Sequence, residues 1–145
     1  MISSYHPKNI RNIAFIGHSA SGKSSLIENL LYSGKSIKAE DRGKVCDFDE
    51  EEKIKGFTIH QSVESFDYEG VKINLLDTPG GADFSGEIHA ALRICEAAVV
   101  VLDAELGIQV ETEKDWYLAD EYQIPRIVFI NKMDKAGADF FAIAK

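Results

Sequence analysis

The stretch Gly17-His18-Ser19-Ala20-Ser21-Gly22-Lys23-Ser24-Ser25 decides how the rest of the chain is read. Its first eight residues fit G-x-x-x-x-G-K-[ST], the pattern of a phosphate-binding loop, or P-loop. The context agrees. Before it, Asn12-Ile13-Ala14-Phe15-Ile16 is short, apolar and partly β-branched, like a buried parallel strand. After it, Leu26-Ile27-Glu28-Asn29-Leu30-Leu31-Tyr32 repeats apolar residues at helical spacing. The bland alternative is a chance glycine turn between strand and helix, and the flanking pattern argues against it.

The chemistry asks for these residue types. Gly17 and Gly22 allow backbone angles and close approaches that a Cβ obstructs. The loop can then turn several N–H groups inward as an anion nest, and the following helix adds its unpaired N–H groups and positive end. Lys23 supplies a mobile positive charge for β- and γ-phosphates. The Ser24 hydroxyl can ligate Mg²⁺, which prefers oxygen.

Outward from this loop, strands and helices alternate. The first helix is expected to end near Ser33-Gly34, with Gly34 as its cap. From Lys35 to Gly56 the chain is charged and aperiodic, with the acidic run Asp47-Phe48-Asp49-Glu50-Glu51-Glu52. A connection this long is functional or disordered in a compact domain; we read residues 35–60 as a switch region that orders on nucleotide. Phe57 to Phe66 is expected as a strand, Asp67 to Gly70 as a turn, and Val71 to Leu76 as a second strand completing a hairpin. Asp77-Thr78-Pro79-Gly80-Gly81 is a breaker-rich loop. A helix follows over about 84–94, a buried strand over Ala97 to Asp103, and a helix over about 110–122 with Trp116 on its core side. Arg126 to Ile130 is a strand ending at Asn131, and Asp139 to Lys145 begins another helix. The expectation is a three-layer α/β fold of the P-loop NTPase type: a mostly parallel sheet, one antiparallel hairpin, and helices on both faces.

In such a sheet, ligands bind at the C-terminal ends of the strands, and two further clusters fall there. Asp77 closes one strand and is the expected acidic partner of Mg²⁺; Gly80 can offer its N–H to a γ-phosphate without steric cost. Asn131-Lys132-Met133-Asp134 closes another strand, and its chemistry points to guanine. An ionised Asp134 can only accept hydrogen bonds, so it suits the guanine N1–H and 2-amino donors, which adenine lacks. Asn131 can brace the loop or reach the base edge, and the Lys132 stem can cover the ring. Thr58 is open: its hydroxyl can serve Mg²⁺ and its N–H the γ-phosphate, or it is an ordinary strand threonine.

Composition narrows the function classes. The 145 residues suffice for one domain with a core. The net charge of −8 argues against a broad nucleic-acid-binding face. Cys46 and Cys95 have no metal-ligand spacing and suggest no disulfide framework, so a cytoplasmic location is expected. Cys95 reads as a small core residue, whereas Cys46 lies in a charged loop. No apolar run is long enough to span a bilayer.

Together these clusters resemble the GTP-binding domain of the translational GTPases, specifically those of the elongation factor G type. The likeness rests on the P-loop, Asp47-Phe48, Lys55-Gly56-Phe57-Thr58-Ile59, Asp77-Thr78-Pro79-Gly80, Ala82-Asp83-Phe84, Asn131-Lys132-Met133-Asp134 and Gly137-Ala138-Asp139. The resemblance implies GTP/GDP and Mg²⁺ as ligands, with Ser24, Thr58 and Asp77 around the metal. It implies a GTPase that acts as a monomer on the ribosome during translocation, with Lys23, Thr58, Gly80 and position 81 near the reacting phosphate. It also implies a further strand, a final guanine-binding loop and additional domains, so the chain is expected to be an N-terminal fragment.

The departures from the family pattern concern hydrolysis. The histidine that usually follows Asp-Thr-Pro-Gly and positions the attacking water is here Gly81. The common aspartate is Ala20; Ser19 replaces an apolar gate residue whose other half is Phe57; Lys55 replaces the usual arginine. The binding parts match and the hydrolytic parts do not, so hydrolysis is expected to be slow. The alternatives are a GTP switch with little hydrolysis, or a ribosomal protection or release-factor relative. His60 is a possible substitute for the missing histidine, although a solvent-facing strand position is the simpler expectation.

Overall fold

The computed structural model describes residues 5–46, 58, 60–81 and 85–144. One five-stranded sheet is built from β1 (Ile10–Ile16), β2 (Ser62–Tyr68), β3 (Val71–Asp77), β4 (Ala97–Asp103) and β5 (Arg126–Asn131), in the order β2-β3-β1-β4-β5. β1 pairs in parallel with β3 and β4, β4 pairs in parallel with β5, and only β2 runs antiparallel, against β3. The described helices are α1 (Lys23–Ser33), α2 (Ser85–Ile94), α3 (Val110–Glu121) and the single-turn α4 (Phe140–Ile143). This is the expected three-layer architecture.

Alternation along the central strand divides the core in two, because successive side chains of a strand point to opposite faces. Phe15 faces α1, where it packs with Ile27, Leu31, Leu75 and Val101. Ala14 and Ile16 face the other way, toward Ile88, Ala91 and Leu92 of α2 and Ala119 of α3. Each fully buried leucine or isoleucine contributes about 1.5–3 kcal/mol. With both faces covered, the second half of β1 (Ile13 to Ile16) and β4 up to Leu102 have no polar side to present, which is why they read as continuous apolar runs. The parallel strands all end at one edge of the sheet, and the loops carrying the quoted motifs gather there.

Several boundaries differ from expectation. β2 begins at Ser62 rather than near Phe57, and Asp67 and Tyr68 belong to the ladder rather than the turn, since pairing runs from Ser62↔Asp77 to Tyr68↔Val71. The turn is only Glu69 and Gly70, with φ of 49° and 80°; two left-handed residues match the twist of a tight hairpin. Thr58 lies outside any strand and is buried. Gly34 does cap α1, but at φ −75°. The left-handed residue is Lys35, at φ 60°. Its N–H and that of Ser36 reach back to the Tyr32 and Leu31 carbonyls, which satisfies the helix end.

Trp116 is 37% exposed rather than in the core. The buried stripe of α3 is Thr112, Asp115 and Ala119, and Trp116 instead carries the Arg126 guanidinium 4.0 Å over its ring. Cys46 is buried, with Ile37 and Val45 packed against the same cluster. The first part of the long charged connection therefore contributes to the core. Asp47-Phe48, Lys55-Gly56-Phe57, Ile59 and Ala82-Asp83-Phe84 lie outside the described residues.

Candidate nucleotide-binding site

The loop between β1 and α1 takes the conformation its glycines permit. Gly17 and Gly22 have φ of 128° and 99°. Gly22 is doubly constrained, because a Cβ there would collide with the Asn131 amide nitrogen. Ala20 is also left-handed, at φ 60°. Lys23 opens α1 and is nearly buried; its ammonium donates to the Gly17 and His18 carbonyls at 2.9 and 3.0 Å, which folds it back over the loop.

The Asp77-to-Gly81 loop packs directly on this turn. β1 and β3 are in register with Phe15 opposite Asp77. Asp77 is fully buried, and the Thr78 hydroxyl donates to the Phe15 carbonyl at 2.6 Å. Pro79 and Gly80 are buried. A Cβ on Gly80 would sit 2.6 Å from Lys23 Nζ and collide with Ser19 N and His18 C, so only glycine lets these two loops touch. Gly81 opens onto a cavity of about 190 Å³ that is also lined by His89, Glu111, Lys114 and Asp115.

The third loop locks the P-loop from the other side. The Asn131 amide donates to the Ser21 carbonyl at 2.9 Å, and its Oδ1 accepts the Lys132 N–H at 2.8 Å. Of the two roles open to Asn131, the bracing one is seen. Lys132, left-handed at φ 59°, sends its ammonium to the Ala20 carbonyl at 2.6 Å and to Asp103 at 2.8 Å. Met133 and Asp134 are exposed at the turn beyond β5. The Ser24 and Thr58 hydroxyls come within 3.1 Å of one another, so two of the three candidate Mg²⁺ ligands meet. All three are oxygen ligands, which suits a hard cation. Among the described residues no group of three or more His, Cys, Asp or Glu side chains gathers to hold an ion; the set fits an ion shared with phosphate oxygens rather than a protein-only cage.

Three buried polar residues escaped the sequence reading. Asp103, at the end of β4, accepts the N–H groups of Glu105 and Leu106 as well as Lys132. Burial alone would raise its carboxyl, but Lys132 and these two donors outweigh burial and hold it well below the usual carboxylate range. From α3, Thr112 accepts the His18 N–H at 3.4 Å and Asp115 accepts the Gly17 N–H at 2.9 Å. The signal was available: Thr112, Asp115 and Ala119 fall at helical spacing, and polar residues on a core-facing stripe need partners. His18 is buried, and among the described residues neither of its ring nitrogens has a hydrogen-bond partner. Burial first, then the Lys23 charge, lowers its pKa and favours the neutral ring.

Asp115 gives a prediction. Burial raises its carboxyl from 3.8 to about 6; Glu111 adds to the rise, and the Gly17 N–H, Lys23 and Lys114 oppose it. The folded chain thus binds this proton more tightly than the unfolded chain. Asp115's contribution is most favourable below about pH 4, declines as pH rises to about 6, and stays unfavourable above that, by about 3 kcal/mol in all. Asp115→Asn keeps an oxygen for Gly17 without burying a charge. Urea melts at pH 5 and pH 8 are expected to show the variant gaining stability relative to the parent at the higher pH. A constant difference would refute the assignment.

A glycine loop of P-loop sequence between β1 and α1, the Ser24 and Thr58 hydroxyls against each other, and an Asn-Lys-x-Asp loop at the end of β5 that braces the glycine loop form the pattern of a P-loop guanine-nucleotide domain. The family model described as elongation factor Tu GTP binding domain matches residues 8–145, and the chain belongs to that family. It is 41% identical over 140 residues to "Elongation factor G 2" of Syntrophus aciditrophicus, covering 94% of this chain and 21% of that protein. It is 41% identical over 135 residues to "Ribosome-releasing factor 2, mitochondrial" of Bos taurus, covering 90% and 17%. A solved structure of a Thermus thermophilus protein superposes with a TM-score of 0.86 at 40% identity, covering 93% of this chain and 21% of that one. The chain spans about a fifth of the length of the curated relatives it matches.

Proposed function

We propose that this domain binds GTP and GDP with Mg²⁺ and serves an elongation factor G-type GTPase, coupling nucleotide state to movement on the ribosome. The observation that carries the reading is the convergence of two further loops on the P-loop: Asn131 against Gly22 and Ser21, and Gly80 against His18, Ser19 and Lys23. Ser24, Thr58 and Asp77 would hold Mg²⁺, which when bound neutralises charge on the phosphate oxygens. The inward N–H groups of residues 19–25 nest the phosphates, and Lys23 leaves its carbonyl partners for them. Thr58 senses the γ-phosphate beside Ser24, and Gly80 N–H reaches it from the other loop. Asn131 orients the base loop, the Lys132 stem flanks the ring, and Asp134 reads guanine.

A second reading, a GTP switch with little hydrolysis, is favoured by Gly81. The relative named as a ribosome-releasing factor keeps a release-type role beside translocation. The outer edge of β5 exposes Ile127, Val128 and Phe129, which supports completion of the sheet by a further strand bearing the last guanine loop. The acidic charge speaks against direct nucleic-acid binding. Among the described residues no helix is long and apolar enough to cross a membrane. A monomer in the cytoplasm completes the proposal.

Equilibrium binding tests the central claim. GTP is expected to bind at least about 10²-fold more tightly than ATP, because adenine leaves Asp134 without its two donors. Removal of Mg²⁺ is expected to weaken GTP more than GDP. Equal affinity for GTP and ATP would end the reading.

A further inference from the structure

α1 holds the polypeptide on both sides of residues 47–57. On the near side, Glu28 is buried and its two carboxylate oxygens collect three backbone N–H groups from one short segment. Oε1 accepts from Val45 at 2.8 Å and Cys46 at 3.2 Å, and Oε2 accepts from Gly43. Arg42, one residue before, lies against the same helix through Asn29 and over the Tyr32 ring. On the far side, Thr58 meets Ser24. Ser24 and Glu28 are four residues apart, so they share one helix face one turn apart. Lys23, the phosphate-binding residue, opens that helix.

A carboxylate whose lone pairs are occupied by three N–H groups of a single segment does not serve the helix itself. α1 satisfies its own backbone and ends in its own cap. What Glu28 fixes is the place from which the chain sets out toward Thr58. With both attachment points on the helix that carries Lys23 and Ser24, the approach of Thr58 to the phosphate is referenced to the P-loop itself. Loss of the near attachment moves the last point held to α1 before Thr58 further back along the chain, and a longer loop raises the entropic cost of bringing Thr58 to Ser24.

We infer that Glu28 is a positioning residue of the GTP state: by anchoring Gly43, Val45 and Cys46 to the Ser24 face of α1, it sets where Thr58 arrives and so supports recognition of GTP over GDP. This rests on Thr58 sensing the γ-phosphate, as proposed above. GDP has no γ-phosphate for Thr58 to meet, so the anchor acts on GTP alone.

The test compares Glu28→Gln, Glu28→Ala, Thr58→Ala and the Glu28→Ala/Thr58→Ala double variant in the intact protein with Mg²⁺. Affinities are measured for GDP and for the non-hydrolysable imido analogue of GTP. Glu28→Ala is expected to weaken the analogue about tenfold, within the usual range of coupling between sites, and leave GDP within about twofold, as a change that spares the P-loop should. Glu28→Gln retains one carbonyl acceptor and the side chain's volume, so a smaller loss is expected. It also keeps the test decisive if the alanine variant fails to fold. The double variant should lose no more than Thr58→Ala, because the anchor acts through Thr58. Additive losses, parallel loss of both nucleotides, or no loss in either Glu28 variant would overturn the inference. If Thr58→Ala alone leaves the GTP preference intact, the sensing role of Thr58 fails instead. Amide exchange then decides the anchor separately: protection at Gly43, Val45 and Cys46 must fall in Glu28→Gln and more in Glu28→Ala, and unchanged protection overturns it.

Discussion

Asp134→Asn is expected to turn a guanine-specific site into a xanthine-preferring one. In the proposed reading the carboxylate accepts from N1–H and the 2-amino group of guanine, and hydrogen bonds to a charged group contribute about 1.5–3 kcal/mol each. Losing that pairing predicts a fall in GTP affinity of about 10²–10⁴-fold. An asparagine amide offers a donor where the carboxylate offered an acceptor, which suits the 2-carbonyl of xanthine, while its own oxygen still accepts N1–H. Competition with xanthosine triphosphate should therefore become effective in the variant and not in the parent. The base loop is braced by Asn131 on Ser21 and by Lys132 on Asp103 and Ala20, and Asp134 itself is exposed, so the substitution leaves those contacts in place. A uniform loss of all nucleotides would show instead that residue 134 holds the loop rather than reads the base.

Gly81→His is expected to accelerate hydrolysis while leaving GTP affinity unchanged. Positioning water is a transition-state task, so its absence lowers kcat rather than binding. A positioned acid–base or water-orienting group contributes about 10²–10⁴-fold. In the proposed site the P-loop, Lys23 and Gly80 would still stabilise charge on the phosphate without it, so the parent rate is expected to be low rather than zero. Residue 81 opens onto the cavity of about 190 Å³ between α2 and α3, which has room for an imidazole. The gain should be partial, because Ser19 and Ala20 also differ from the family pattern and Glu111, Lys114 and Asp115 in the cavity compete for the ring. Single-turnover hydrolysis with ribosomes is the measurement. If the parent already matches a histidine-bearing relative, another group places the water. His60, the substitute suggested by the sequence, is exposed. His89, which lines the same cavity and is exposed like His60, is then tested beside it.

Much of this protein was legible along the chain because the decisive signals are local. Gly17, Gly22, Lys23 and Ser24 form a loop whose chemistry depends on spacing alone, and the apolar runs at β1, β4 and β5 announce strands. The strand ends then place Asp77 and Asn131 at one sheet edge, since parallel strands finish on the same side. What was illegible is long-range. Thr58 was open between a Mg²⁺ ligand and an ordinary strand threonine; the hairpin register starts β2 at Ser62 and leaves Thr58 against Ser24, 34 residues away. The helix was expected with Trp116 inward, and nothing was read into Thr112 or Asp115. The helix instead turns its polar stripe toward Gly17 and His18, 98 and 94 residues distant, because those loop N–H groups need acceptors once buried. Glu28 sits within an apolar helical pattern that gives no hint of its role, and its three partners lie in a segment whose charge suggested solvent. Local pattern records which backbone each residue prefers; which buried donor meets which acceptor is decided only when the chain has closed on itself.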